Sequence, residues 1–538
     1  MRTWEFKVNN MGPVRSVAGM SPFVHIPVVI YKWIADRISS RSANTHYSGS
    51  DLINRVLLPS RLATALGSLF IDMFILSSCM HIHHSRTLKL TRVQHFLSFI
   101  RYNSVPTASL LYASCAFGGI LLSTRTIVNT WESIYVSVFG LLFFEILNHI
   151  KRSDVLQGKQ YFITILICIQ SSLIVWASFL RPTYLLFILP IGIIELVFLV
   201  AKFKIIFIAT RLPIIVFVIL CNTFVCVLID TLYFHNTSVS NIFHLGISKY
   251  PLICTPCRFF AYNSNTQHVS SHGLHPRFTH FLVNWPLILG PIFVLRLFTQ
   301  PLQSRSLTLC VAWVSVVFPT LILSLIPHQE ARFLIPCLPY ACFVIGQSID
   351  GKARFTRRFS CLCIISSILW IIHQSALIIF YGYLHQAGIL SYMRTISIDV
   401  NDCVTHVFFR TYMPPRFPLG IPLTKSSNDV IQSCISLIDL SGSSVSVLNT
   451  TLNNLKANQN STGIIKLVFP GSLLTLTDFL PSSWSDTVAS EQFFPHLSME
   501  YPPSIQPFTD GFHRNQNYHS VNEYLKSQLS LHVLTFKV

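Results

Sequence analysis

Long apolar runs recur along the first 380 residues, separated by short polar loops. The runs cover 56–80, 104–123, 132–149, 161–179, 183–200, 212–234, 279–295, 306–326, 333–350 and 359–381. Each is long enough, or nearly so, to cross about 30 Å of hydrocarbon. Inside lipid every backbone amide needs a partner within its own segment, so each run is expected to be a helix. Near residue 385 the pattern changes: the tail is rich in Ser, Asn and Pro, its apolar runs shorten to pieces such as Ile464–Phe469, and no span occurs. The pattern therefore predicts an all-α polytopic membrane protein of about ten transmembrane helices over 56–384, followed by a small soluble lobe of mixed structure over 385–538. Residues 1–55 hold one further apolar run, 17–34, interrupted by Pro22 and Pro27 and carrying His25 and Lys32. It reads as an interfacial segment rather than a span.

Composition agrees. The chain is 51% hydrophobic and 11% charged, whereas a soluble chain carries about 25% charged residues. The net charge of +18 raises the question of nucleic acid, but its distribution argues against that partner. Basic residues collect in alternate loops: Arg86, Lys89, Arg92 and Arg101; Lys151, Arg152 and Lys159; Lys202, Lys204 and Arg211; Arg296 and Arg305; Lys352, Arg354, Arg357 and Arg358. The intervening short loops hold only Arg125, Arg181 and Arg332. Positive loops stay in the cytosol, which places loops 124–131, 180–182, 235–278 and 327–332, and the tail, on the opposite, luminal side. The sequons at Asn236, Asn449 and Asn460 all fall on that side. An endoplasmic-reticulum membrane protein with a luminal C-terminal lobe is the resulting expectation. Cys254 and Cys257 form a Cys-x-x-Cys pair with His268, His272 and His275 downstream; a structural loop, with the pair oxidised, is favoured over a zinc site, whose ligands need defined geometry.

The polar chemistry gathers at the luminal span ends. Arg125, Asn129 and Glu132 open one span, and Arg181 lies between two others. Asp230 and Tyr233 close the sixth span, while His272, His275 and Arg277 precede the seventh. His328-Gln329-Glu330-Ala331-Arg332-Phe333 joins the eighth and ninth, and His385 follows the tenth. Ionisable groups at membrane depth are costly and so suggest function. The plainer reading is that each Arg anchors at the interface, each Asp caps a helix end, and the hexapeptide only stops insertion. A transporter would instead need charges near mid-span; Asp72, Glu145 and Glu195 are the candidates, too few to draw a pathway.

The hexapeptide resembles the HQE-x-RF or HKE-x-RF signature of glycosyltransferase family 22, the dolichyl-phosphate-mannose-dependent α-mannosyltransferases of GT-C type. Thr3-Trp4-Glu5-Phe6, Arg125-Thr126 with Asn129-Thr130 and Glu132, Arg181-Pro182-Thr183, Asp230-Thr231-Leu232-Tyr233 and Thr255-Pro256 also match. His272-Gly273-Leu274-His275-Pro276-Arg277-Phe278-Thr279-His280 is similar to the branch that adds the fourth mannose to glycosylphosphatidylinositol (GPI) precursors. The resemblance runs over residues 3–416.

It implies inverting transfer of mannose from dolichyl-phosphate-mannose to a GPI precursor glycan, giving an α-1,2 linkage. His328 and Arg332 would bind the donor phosphate and Glu330 would orient Arg332. Arg125, Asn129, Glu132, Arg181, Asp230, Tyr233, His272, His275, Arg277 and His385 would be further edge candidates. No cofactor or metal is implied, because the donor carries one lipid phosphate. The partners implied are membrane lipids, the dolichol donor and the GPI precursor. The family's acidic His-Pro-Asp-Glu motif is not found. The main catalytic base is therefore expected upstream of Met1, residues 1–55 read as the remnant of a first luminal loop, and Glu5 is its surviving acidic member. Addition of the third GPI mannose, mannosylation of an N-glycan precursor, transport, and a non-catalytic scaffold role are the alternatives.

Overall fold

A computed structural model describes residues 16–21, 26–31, 49–84, 128–152, 157–265, 274–299, 307–352, 357–396, 404–412, 414, 435–458, 463–473, 488–503 and 521–537. The expected span 104–123, the edge residues Arg125 and His272, Glu5 and the Asn460 sequon lie outside these residues. The chain divides into two units, 2–29 with 60–376, and 30–59 with 377–538.

The first unit is helical. Among the described residues six helices are long and apolar enough to cross a membrane, or seven if one bent pair counts as a span. Expected runs 183–200 and 212–234 lie in one helix, Tyr184–His235, of 52 residues. At 1.5 Å per residue that is about 78 Å, far more than one crossing requires. A single break inside it, at Lys204 with φ 66 and ψ 167, divides it between the two runs. The expected span 279–295 is His280–Leu289 followed by Pro291–Thr299, bent by 114°. Gly290 sits at that bend with φ +81, a left-handed value that Gly adopts without penalty, and Pro291 has no amide to continue the first helix. The expected run 333–350 begins as a 3-10 turn, Ala331–Cys337, before the helix Leu338–Lys352.

Helix packing in this unit uses aromatic side chains and small residues. Phe74, Phe143, Tyr184, Trp285, Tyr340 and Phe343 are buried together in one cluster. A side chain on Gly140 would place its Cβ 2.5 Å from the Phe74 ring; small residues of this kind let membrane helices approach closely. The outward faces are apolar too. Leu185, Leu189, Ile193, Leu196 and Val197 are all exposed along the Tyr184–His235 helix. Apolar surface on this scale is suited to lipid and a liability in water.

The second unit carries a five-stranded sheet: β1 Val404–Phe408, β2 Ile435–Asp439, β3 Ile464–Pro470, β4 Ala489–Phe493 and β5 Leu531–Lys537. Their order is β2-β1-β3-β5-β4. β2, β1 and β3 run parallel, and β5 pairs antiparallel with β3 and β4. Strand side chains alternate between faces. Phe408, Val468, Leu531 and Val533 pack against Ile389, Tyr392 and Met393 of the helix Ala387–Thr395. Val407, Phe409, Ile465, Leu467 and Phe469 pack against Leu448 and Leu452 of the helix Val445–Asn458. The tail is thus a helix–sheet–helix sandwich with a core on each face.

A candidate active site at one edge of the helical unit

Two segments 50 residues apart in sequence are stitched together in the helical unit. The His275 amide donates to the Pro327 carbonyl at 2.9 Å. The Gln329 amide donates to His275 Nδ1 at 3.3 Å, and an Arg277 guanidinium nitrogen donates to the Leu325 carbonyl. Gln329 is the hub. Its Nε2 faces the carbonyls of Ser324 at 3.0 Å, Ile326 at 3.2 Å and Arg277 at 3.5 Å, and its Oε1 accepts from the His280 amide at 3.1 Å. The His328 and Glu330 side chains, on either side of Gln329 in sequence, point elsewhere. Glu330 Oε1 lies 2.8 Å from His328 Nε2 and accepts from Arg332 Nη2 at 2.9 Å, while Glu330 Oε2 pairs with Arg332 Nε. Burial by itself raises the Glu330 carboxyl. The Arg332 charge and the hydrogen bonds from Arg332 and His328 outweigh it and hold the carboxyl below the ordinary glutamate value.

A second ion pair meets this cluster through an aromatic ring. Pro182 and the turn it makes end the helix Gln157–Leu180 and aim Arg181 inward. Arg181 Nε lies 3.5 Å from Glu132 Oε2, and Thr183 Oγ1 donates to Glu132 Oε1 at 2.6 Å. Glu132 and Arg181 are both buried. The Arg181 guanidinium carbon is 5.3 Å from the centre of the Phe333 ring, and that of Arg332 is 5.9 Å from it. One ring thus meets two cations, each contact worth about 0.5–2 kcal/mol according to its burial.

The structure brings His275, Arg277, His328, Glu330 and Arg332 into one cluster and links it to Arg181 and Glu132. Asn129 is buried at the start of the Glu132 helix, and its Nδ2 has no hydrogen-bond partner among the described residues. Asp230 is placed differently. Its Oδ1 accepts from Ser16 Oγ at 3.0 Å and from the amides of Val17 and Ala18 at 2.8 and 2.9 Å, and its Oδ2 accepts from Thr255 Oγ1 at 2.8 Å. This carboxylate clips the short helix Val17–Met20 to the helical unit. A Cβ on Gly19 would lie 2.4 Å from the Leu180 amide nitrogen, so the clipped segment rests directly on backbone. Tyr233 is exposed and packs edge-on against Phe234. His385 belongs to the other unit, between the Leu497 carbonyl and the Tyr412 hydroxyl. Cys254 and Cys257 form a disulfide.

Sequence reasoning missed Gln329 and Phe333, although both stand inside the hexapeptide it singled out. The available signal was an amide between an imidazole and a carboxylate: its NH2 and carbonyl oxygen can satisfy several backbone acceptors and a donor together, which an ionised carboxylate cannot do. Two of the mid-span charges are locally engaged: Glu195 accepts from Gln170 at 2.9 Å, and Glu145 lies 3.1 Å from His149.

Apolar helices with a cluster of acids, bases and imidazoles at one edge define a multi-pass membrane protein with a polar site where spans end. The model of the Alg9-like mannosyltransferase family matches residues 1–410, and the chain belongs to that family. Similar relatives carry the name GPI mannosyltransferase 4. That of Candida albicans is 30% identical over 244 residues, 44% of each chain. That of Aspergillus oryzae is 30% identical over 298 residues, 50% of this chain and 49% of the relative. The chain thus spans about half the length of these curated relatives. That of Emericella nidulans is 24% identical over 544 residues, 92% of this chain and 85% of the relative. Among solved structures, ArnT from Cupriavidus metallidurans bound to undecaprenyl phosphate is 12% identical, with a TM-score of 0.45 over 82% of this chain and 84% of that one.

Proposed function

We propose that the protein is a GT-C type enzyme of the endoplasmic-reticulum membrane that transfers mannose from dolichyl-phosphate-mannose to a GPI precursor glycan. The mannose is the fourth, in α-1,2 linkage, added on the luminal face. The observation that carries the reading is the joining of the His275–His280 segment to the His328–Phe333 hexapeptide around buried Gln329, in a chain of this family.

In such a transfer an acceptor hydroxyl attacks the anomeric carbon from the face opposite the leaving phosphate, inverting a β donor to an α product. Negative charge grows on the phosphate as the glycosidic bond breaks, and fixed donors that meet it lower the barrier. Arg332 is the principal candidate. It is 56% exposed and is oriented by Glu330 through Nε and Nη2, which leaves the rest of its planar fork for an oxyanion. His328, on the other side of Glu330, is the second. The carboxylates at this edge are committed: Glu330 to Arg332 and His328, Glu132 to Arg181 and Thr183, Asp230 to the Ser16–Ala18 segment. The base that takes the acceptor proton is therefore sought outside these three residues.

The test is mannosyl transfer in microsomes, with labelled dolichyl-phosphate-mannose and a three-mannose GPI acceptor. Arg332→Ala is expected to lower transfer about thirty-fold or more, the equivalent of about 2 kcal/mol of transition-state stabilisation. Arg332→Lys should recover only part of it. Near-normal transfer by both Arg332→Ala and His328→Ala would reduce the hexapeptide to a topological stop.

A further inference from the structure

The sheet of the second unit carries a cluster of residues to which the proposed mannosyl transfer assigns no role. Where strand order reverses in a parallel sheet, the loops leaving the carboxyl ends diverge and open a crevice, the usual ligand position of such sheets. β1 has β2 on one side and β3 on the other, all parallel, so the reversal falls at the carboxyl end of β1.

Arg410 and Thr411 stand there. Arg410 adopts φ +53, a left-handed conformation costly for a side chain of its size. Its amide donates to the Ser441 carbonyl beyond β2 at 2.7 Å, which ties two strand ends together. Its guanidinium carbon lies 4.9 Å from the centre of the Tyr501 ring. Tyr501 reaches across all three parallel strand ends: its carbonyl accepts from Ser472 Oγ beyond β3 at 2.8 Å, and a Cβ on Gly442, beyond β2, would lie 3.8 Å from its hydroxyl. Among the described residues Arg410 has no ion-pair partner, and its Nε is buried without an acceptor. The neighbouring Thr411, 5% exposed, has a buried hydroxyl that is likewise unpartnered. The nearest carboxylate in sequence at this edge, Asp439, is occupied by the Ser441 amide and hydroxyl at 2.9 and 3.2 Å.

A buried donor without an acceptor costs about 1–3 kcal/mol, and more when it is charged. Here one such donor is the Arg410 guanidinium, stacked on the Tyr501 ring, and the other is the hydroxyl of its chain neighbour Thr411; a cationic fork beside a hydroxyl suits an oxyanion that accepts several hydrogen bonds at once. We infer that Arg410, Thr411 and Tyr501, at the carboxyl edge of β1, form a binding site for a phosphate ester, separate from the edge cluster of the helical unit. The phosphate comes either from a soluble phosphorylated molecule or from a phospholipid headgroup.

The experiment uses the full chain in phosphatidylcholine nanodiscs and titrates inorganic phosphate by calorimetry at fixed ionic strength. Saturable binding is expected. Arg410→Gln should weaken it about ten-fold or more, and Arg394→Gln, an exposed arginine of the same lobe, should leave it unchanged. Should Arg410→Gln fail to fold, Thr411→Val decides, since it removes only the hydroxyl; it should weaken binding several-fold. Repeating the titration in nanodiscs containing phosphatidylinositol separates the sources. Apparent phosphate affinity lowered by competition identifies a lipid headgroup, and unchanged affinity identifies a soluble phosphate. No saturable binding, or binding by Arg410→Gln or Thr411→Val equal to that of the parent chain, overturns the site.

Discussion

Replacing Gln329 tests whether the edge cluster is held together as described. Its Nε2 has two hydrogens for three carbonyls, so two of those contacts, the 3.0 and 3.2 Å ones, dominate. With the His280 amide bonded to Oε1, three hydrogen bonds depend on one side chain that is 2% exposed. Each is worth about 1 kcal/mol net, and each partner left bare in a dry site adds about 1–3 kcal/mol. Neighbouring backbone relaxes to recover part of this, so Gln329→Ala is expected to cost about 3–5 kcal/mol. Gln329→Glu should cost more. It keeps the acceptor for His280 but removes both donors and sets a negative charge against carbonyl oxygens. Chemical denaturation of the detergent-solubilised protein measures the loss, and the transfer assay gives its consequence: the cluster loosens and transfer falls in the same order, Glu below Ala. A loss under about 1 kcal/mol for Ala, or Glu tolerated better than Ala, would show that Gln329 does not hold the two segments.

Asp230→Ala should cost about 3–5 kcal/mol by stripping four donors of their acceptor, whereas Asp230→Asn, which keeps Oδ1, should cost no more than half as much; equal denaturation midpoints for the two would reject the clip. The sandwich should loosen in acid. Burial first, then the Lys466 charge, pushes His406 down to about 3, and burial, then His385 and His532, pushes His496 to about 3. The unfolded chain then binds protons that the folded lobe does not. Stability is present above pH ~6.5 and declines by up to about 1.4 kcal/mol per pH unit per histidine as pH falls toward 3. Hydrogen exchange in β1, β3 and β5 should accelerate between pH 6 and 4, and His406→Gln should flatten that slope; protection independent of pH would contradict it. With a luminal lobe, protease added to sealed microsomes should leave residues 404–537 intact until detergent is added, and cleavage without detergent would reverse the orientation.

Hydrophobic runs predicted a helical membrane unit from sequence alone, because a bilayer leaves the backbone no other way to satisfy its hydrogen bonds, and six helices among the described residues are long and apolar enough to cross one. Alternating charge predicts a common side for the edge residues, since loop charge and span number need no tertiary information. Both periodicities fail where backbone breaks are local. The bend at Gly290 leaves apolar composition unchanged, so the run 279–295 carries no sign of it, whereas the break at Lys204 falls between two runs that the pattern already separates. The same limit holds for side-chain roles. Asp230 and Glu330 are both acids at span ends, and nothing in the sequence distinguishes a carboxylate filled by backbone amides from one shared between histidine and arginine. Partner choice is set by which segments, far apart in the chain, meet in space. The carboxyl-edge arginine of β1 was hidden for a further reason: strand order depends on pairing between distant segments, and alternation along one strand carries no record of its neighbours.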